Sequence, residues 1–167
     1  MNSKTKKIAF LGLATAVAIV LSYLEALMPS FFPAVPGVKI GLPNIMIIFL
    51  LYKFSLKDAV IVSIIRIFVV ALLFGNVMTL AYSIVGAVLS ISLMALLKKT
   101  DKFSTVAVSI VGGIAHNLGQ IIVAMIVMRT EEIGYYMIVL AVTGTLAGAV
   151  IGLAGAMLLK STKKLRF

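Results

Sequence analysis

Arg66 is the first residue to account for. It stands in the middle of the apolar run from Asp58 to Phe74, and an arginine at the centre of a membrane helix costs about 2.5–3.5 kcal/mol to insert. A guanidinium at that depth turns to the protein interior and finds a partner there. The position predicts either a clamp for an anionic group of a ligand, or an internal bond to a carboxylate or to backbone carbonyls. His116, Asn117 and Gln120 add three large polar groups near the middle of the run from Ser104 to Met128. At i, i+1 and i+4, with Gly113 and Ala124, they predict one small, polar, recessed face. Helix–helix hydrogen bonding, worth about 0.6 kcal/mol on average, accounts for one such group; three together predict a ligand-lining face. The histidine also leaves proton coupling open.

Glu25 and Asn44 complete the candidate set. Glu25, near the outer end of the first apolar run, could pair with Arg66 or with a ligand amine, or meet water at the interface. On a helix it falls within about 20° of Ala14. Asn44 follows Pro43 at the start of the second run, where it either reaches inward or satisfies backbone groups; Asn76 is expected to cap the outer end of the third helix.

Much chemistry is excluded by what is missing. There is no cysteine, one histidine and five acids, so disulfides, thiolate sites and a multi-ligand metal centre are not expected. Glu25, Asp58, Asp101, Glu131 and Glu132 are too scattered for an acidic magnesium–diphosphate site. No G-x-x-x-x-G-K-[ST] loop, G-x-S-x-G elbow or H-E-x-x-H pair occurs, so ATP binding in the Walker manner and hydrolytic catalysis have no machinery. The chain reads as a non-enzyme without a cofactor.

The elements that must position these residues are apolar helices. Of 167 residues 62% are hydrophobic and 12% charged, with a mean hydropathy of +1.21. A soluble domain is nearer 45–50% apolar and about 25% charged, and this excess is too large for one small core. The expectation is a single six-helix membrane domain over 1–167, with helices at about 8–27, 42–54, 58–74, 77–97, 104–128 and 133–159. The first run continues past Ala14, Ala16 and Ala18 without a polar break, so it is expected to be a span and not a cleaved signal. All four prolines lie in residues 28–43, predicting a structured capping loop. The second run is short: it either continues past Lys53 with that side chain snorkelling, or the proline loop dips inward. Ser55-Leu-Lys-Asp58 predicts a capping box.

Charge placement orients the domain. Twelve of the 15 Lys and Arg fall in the N-terminus, 53–57, 98–102 and the C-terminus, while Lys39 and Arg129 stand on the other side. The positive-inside rule then predicts six spans in the plasma membrane with both termini cytoplasmic. No basic–aromatic patch accompanies the charge, so no nucleic-acid partner is expected. Ala14 and Ala18 form a small-xxx-small pair, and Gly144, Gly148 and Gly152 a longer series; both allow close helix approach, with internal packing the default for the glycines.

These features resemble a known group. Six short helices, a basic N-terminus, Ala14-x-x-x-Ala18 and a long first loop resemble the substrate-binding S components of energy-coupling factor (ECF) transporters. PGVKIGLPNI (36–45), FSLKDA (54–59) and GGIAHNLGQ (112–120) resemble the Gx transporter family, some of whose members are labelled heptaprenyl diphosphate synthase component I. Pro43 stands where alanine is expected, a departure that stiffens the loop. The resemblance implies a binder of a small, anionic or amphipathic, vitamin-like molecule, working with a transmembrane coupling subunit and two ATP-binding subunits. It implies that the Ala14/Ala18 face touches the coupling subunit. The expected site lies in the outer half of the bundle beneath loop 28–43, lined by Arg66, Asn44, His116, Asn117 and Gln120, with Glu25 beside it. Two other readings stay open. One is a membrane assembly or anchoring subunit for an isoprenoid, quinone or electron-transfer pathway. The other is a membrane enzyme acting on a prenyl lipid with His116 as acid–base.

Overall fold

The computed structural model describes residues 2–28 and 40–164. Among the described residues the regular structure is helical throughout: α1 (Ser3–Leu27), α2 (Asn44–Lys53), α3 (Leu56–Phe74), α4 (Val77–Lys99), α5 (Thr105–Met128), a 3-10 turn (Glu132–Tyr135) and α6 (Tyr136–Ser161). The expected elements match these in order and type. Residues 29–39 of the expected capping loop lie outside the described residues.

Among the described residues, four helical stretches are long and apolar enough to cross a membrane: α1, α4, α5, and the 3-10 turn with α6. The other two helices depart from this for different reasons. Ten residues make α2 about 15 Å long, half the hydrocarbon thickness of about 30 Å. In α3, 19 residues long, Lys57, Asp58 and Arg66 interrupt the apolar run.

Local sequence explains the helix ends. The Ser55 hydroxyl accepts the Asp58 N–H at 3.2 Å and donates to Asp58 Oδ2 at 2.6 Å, starting α3. The complete reciprocal capping box stands elsewhere. Asn76 Oδ1 accepts the Thr79 N–H at 2.9 Å and Thr79 Oγ1 accepts the Asn76 N–H at 2.8 Å. Asn76 therefore starts α4 instead of capping the end of α3, because its extended backbone aims its side chain forward along the chain. Ser104 caps α5 in the same way.

α2 is the axis of the core. Met46 to Leu51 are all buried, five of them at 0–1% exposure on every side of the helix, as a helix apolar all round must be. α1, α3, α4 and α6 enclose it. It ends at Lys53, so the alternative of a helix continuing to full length is not observed. Its start, with Gly41, Pro43 and Asn44 buried, lies inside the bundle. Pro43 has φ −60°, the value its ring imposes, so it begins the helix without strain.

Ala14 and Ala18 are 1% and 0% exposed and belong to the same core. With Ser22 and Glu25 they form the buried stripe of α1. In this structure the stripe packs on the chain's own helices. The reason is geometric, since small side chains let α1 approach its neighbours closely.

The glycines of α6 pack internally, as expected. A Cβ on Gly148 would stand 2.7 Å from Ile110 Cα, one on Gly144 would stand 2.9 Å from Asn117 Nδ2 and 3.2 Å from the Gly113 carbonyl, and one on Gly152 would stand 2.8 Å from Val106 Cα. Along this line α5 and α6 approach backbone to backbone.

The basic segments gather at one end. Lys7 pairs with Asp58 at 2.8 Å, Lys53 donates to the Thr162 carbonyl at 2.7 Å, and Lys98 donates to the Leu51 carbonyl. Two of these lysines thus hold carbonyls at α2's C-terminal end and in the tail, where helix dipoles favour cations. α2 leads from there to the polar cluster described next.

Candidate functional site

The cluster forms where the start of α2 meets α1, α3, α4 and α5. Glu25, buried near the end of α1, accepts hydrogen bonds at Oε1 from the backbone N–H of Gly41 and of Leu42, the latter at 3.4 Å. These amides precede α2, so the carboxylate sits at the positive end of a half-length helix. The chain then turns, with the Gly41 carbonyl accepting the Asn44 N–H at 2.9 Å. Gly41 has φ +92°, a conformation that glycine tolerates and other L residues rarely adopt. A Cβ there would also stand 2.8 Å from Asn44 Nδ2 and 3.7 Å from His116 Cδ2. The turn therefore lies directly over both side chains.

His116 and Gln120 act as one unit on α5, their Nε2 atoms 3.0 Å apart. A second glycine makes room for the imidazole. A Cβ on Gly86 of α4 would lie 2.8 Å from His116 Nδ1 and Cε1, and one on Gly119 would lie 2.7 Å from Gly86 Cα. The two helices cross at bare backbone there, and the ring lies against it.

Arg66 lies on the buried face of α3 at 5% exposure, close enough to Glu25 for their charges to interact. Its Nε and Nη2 have no hydrogen-bond partner among the described residues. Buried guanidinium donors are costly to leave unmade. Glu25, Asn44, Arg66, His116 and Gln120 thus converge on the start of α2.

Asn117 stands apart. One residue on from His116 is about 100° around the helix, and its Nδ2 donates to the Leu140 carbonyl of α6 at 2.8 Å. The expected single face of three polar groups is therefore two faces: His116 and Gln120 look to α2 and α4, Asn117 to α6. Its Oδ1 is buried without a partner among the described residues.

A family model described as heptaprenyl diphosphate synthase component I matches residues 14–158. The chain belongs to this family. Neither curated proteins nor solved structures yield a match. The three motifs that carry the sequence resemblance, at 36–45, 54–59 and 112–120, all lie within the span matched to the component I family, and two of them bracket the cluster: Gly41 and Asn44 from the first, His116 and Gln120 from the last.

Sequence reasoning missed some residues of this cluster. Gly41 and Gly86 have no functional group; what marks them is the space they leave for Asn44 and His116. Ser63 and Ser90 are buried, with hydroxyls lacking a partner among the described residues. Ser63 stands three residues before Arg66 on the inward side of α3, a spacing that could have flagged it. Among the described residues no group of three or more His, Cys, Asp or Glu stands together to hold a metal.

Proposed function

We propose that this chain is the substrate-binding membrane subunit of an ECF-type importer. It takes up a small, anionic or amphipathic, vitamin-like molecule and is not itself an enzyme. The observation that carries the reading is Arg66, a buried guanidinium with two unmade donors beside Glu25, where Asn44, His116 and Gln120 also gather. A ligand anion would accept those donors in fork geometry, while the amides and imidazole supply orienting hydrogen bonds. Half-length helices whose N-termini face the bundle interior recur in membrane transporters for the same reason: their dipoles favour anions. Here Glu25 holds that end, and a ligand would bind next to it. Uptake energy would come from two separate ATP-binding subunits through a transmembrane coupling subunit. The coupling subunit would dock on a surface other than the buried Ala14/Ala18 stripe. The basic end would face the cytoplasm, with both termini on the cytoplasmic side of the plasma membrane.

The family description favours a second reading, a membrane assembly or anchoring subunit of an isoprenoid pathway. In that case the polar cluster is structural. Native mass spectrometry of the gently purified protein separates the two. A stoichiometric small molecule, lost on Arg66→Ala or Gln120→Ala, supports the binding subunit. An empty protein that co-purifies with a synthase and without ATPases selects the assembly subunit.

A further inference from the structure

Outside the polar cluster, the α3–α4 hairpin carries an apolar groove of about 440 Å³, within the range of about 300–1,000 Å³ typical of small-molecule sites. Ser63 and Ile67 of α3 and Ala87 and Ile91 of α4 form its floor, and the exposed side chains of Ile64 and Val88 stand on its rim. It runs from Val60 to Phe68, about 12 Å along the helix. With α3 and α4 side by side across the bilayer, such a rim would face lipid tails and the groove would open sideways to them.

Its position relative to the polar cluster gives it a meaning. The hairpin turns at Gly75 and Asn76, and counting equally back from that turn sets Ser63 level with Val88 and Arg66 level with Val85 and Gly86. Gly86 is where the His116 ring meets α4. The groove and the cluster are therefore at one depth, separated only by the inner edge of the hairpin. At that edge the Ser63 hydroxyl, 2% exposed, has no hydrogen-bond partner among the described residues, and one turn along α3 neither do Arg66 Nε and Nη2.

We propose that the ligand of this site is an anionic amphiphile with a single hydrocarbon chain, entering sideways from the bilayer between α3 and α4. The chain lies in the groove, and the anionic head passes Ser63 to reach Arg66. Charge complementarity selects the head, since the unmade donors at the inner edge belong to a cation and a hydroxyl. A channel one helix seam wide accepts one chain. The proposal rests on the substrate-binding reading of the same site and adds the substrate class and its route.

The test uses the full chain in nanodiscs of zwitterionic lipid, with inorganic, butyl and octyl phosphate as probes. Each methylene buried strengthens binding about fourfold. Octyl phosphate should therefore bind at least about tenfold more tightly than butyl phosphate, and inorganic phosphate most weakly. Ala87→Phe, which fills the floor, and Val88→Trp, which bulks the rim without touching the core, should each remove most of that gain and leave butyl phosphate within about twofold. Arg66→Ala should weaken both. Affinities that ignore chain length, or groove variants identical to the native protein, overturn the amphiphile and leave the binding subunit standing. So does a polar solute found by native mass spectrometry while no alkyl phosphate binds. Competition by anionic phosphatidylglycerol in the nanodisc would mark the groove as a seat for a bilayer lipid and overturn the proposal. Absence of any ligand by either method would bring down both readings.

Discussion

At the scale of single residues, the cluster holds two opposite charges with different tasks. Glu25 has a structural one: its carboxylate holds the amides that lead into α2. Removing it strands buried N–H groups, each worth about 1–3 kcal/mol. Glu25→Ala should lower stability by about that amount, and Glu25→Gln by less because one acceptor oxygen remains; thermal unfolding in detergent measures both. Arg66 holds no backbone group in this way, and two of its donors are unmade among the described residues. Arg66→Ala should therefore leave helix content and elution unchanged by circular dichroism and size exclusion while abolishing retention of the co-purifying molecule. Retained affinity would remove Arg66 from the site. The local half of this was legible in the sequence: a charge at mid-helix depth announces itself by cost alone. That Asn117 turns away from His116 was not read from the sequence, although the 100° step of a helix separates them; its neighbour on α6 decided what it binds.

The elements are held by absent side chains. Gly148 of α6 meets the α5 backbone at Ile110 Cα and Ser109 O, both under 3 Å from a built Cβ. Backbone cannot move aside as a flexible side chain can. Gly148→Val should destabilise the protein by about 1–3 kcal/mol or more, whereas Gly12→Ala on α1, with nothing within 4 Å of the new methyl, should be neutral or raise stability by up to about 1 kcal/mol through helix propensity. Melting temperatures of the two variants test the contrast directly. A Gly148→Val protein as stable as the parent would mean that α5 and α6 do not meet along this line. The i, i+4, i+8 spacing of Gly144, Gly148 and Gly152 predicted close packing. It did not name α5 as the partner, because small-residue spacing is the same for every neighbour.

For the whole molecule, the basic segments assemble at one end although they are far apart in sequence. If the positive-inside rule governs insertion, that end is cytoplasmic. The chain has no cysteine, so single reporters can be placed without background. In intact cells, Lys6→Cys, Lys57→Cys, Lys102→Cys and Lys163→Cys should all resist an impermeant thiol reagent. Asn76→Cys and Glu131→Cys should react. A mixed result within the first group would break the common-end arrangement, and the reverse pattern would invert the orientation.

Composition and period alone determined that this protein is a bundle of apolar helices, because 62% hydrophobic residues cannot be buried in a soluble core of this size and backbone groups in lipid must bond within helices. Capping residues such as Ser55 and Ser104 marked where helices begin, since those hydrogen bonds span three residues and need nothing distant. The tertiary structure decided the rest. Ten residues of α2 became the buried axis, which only the enclosing α1, α3, α4 and α6 could make it. Ala14 and Ala18 turned inward for the same reason: a small-residue stripe fits whichever helix comes closest. The meeting of Glu25, Asn44, Arg66, His116 and Gln120 draws on four helices across most of the chain. No local pattern encodes such a meeting, because it depends on how closely backbones approach at Gly41, Gly86 and Gly119.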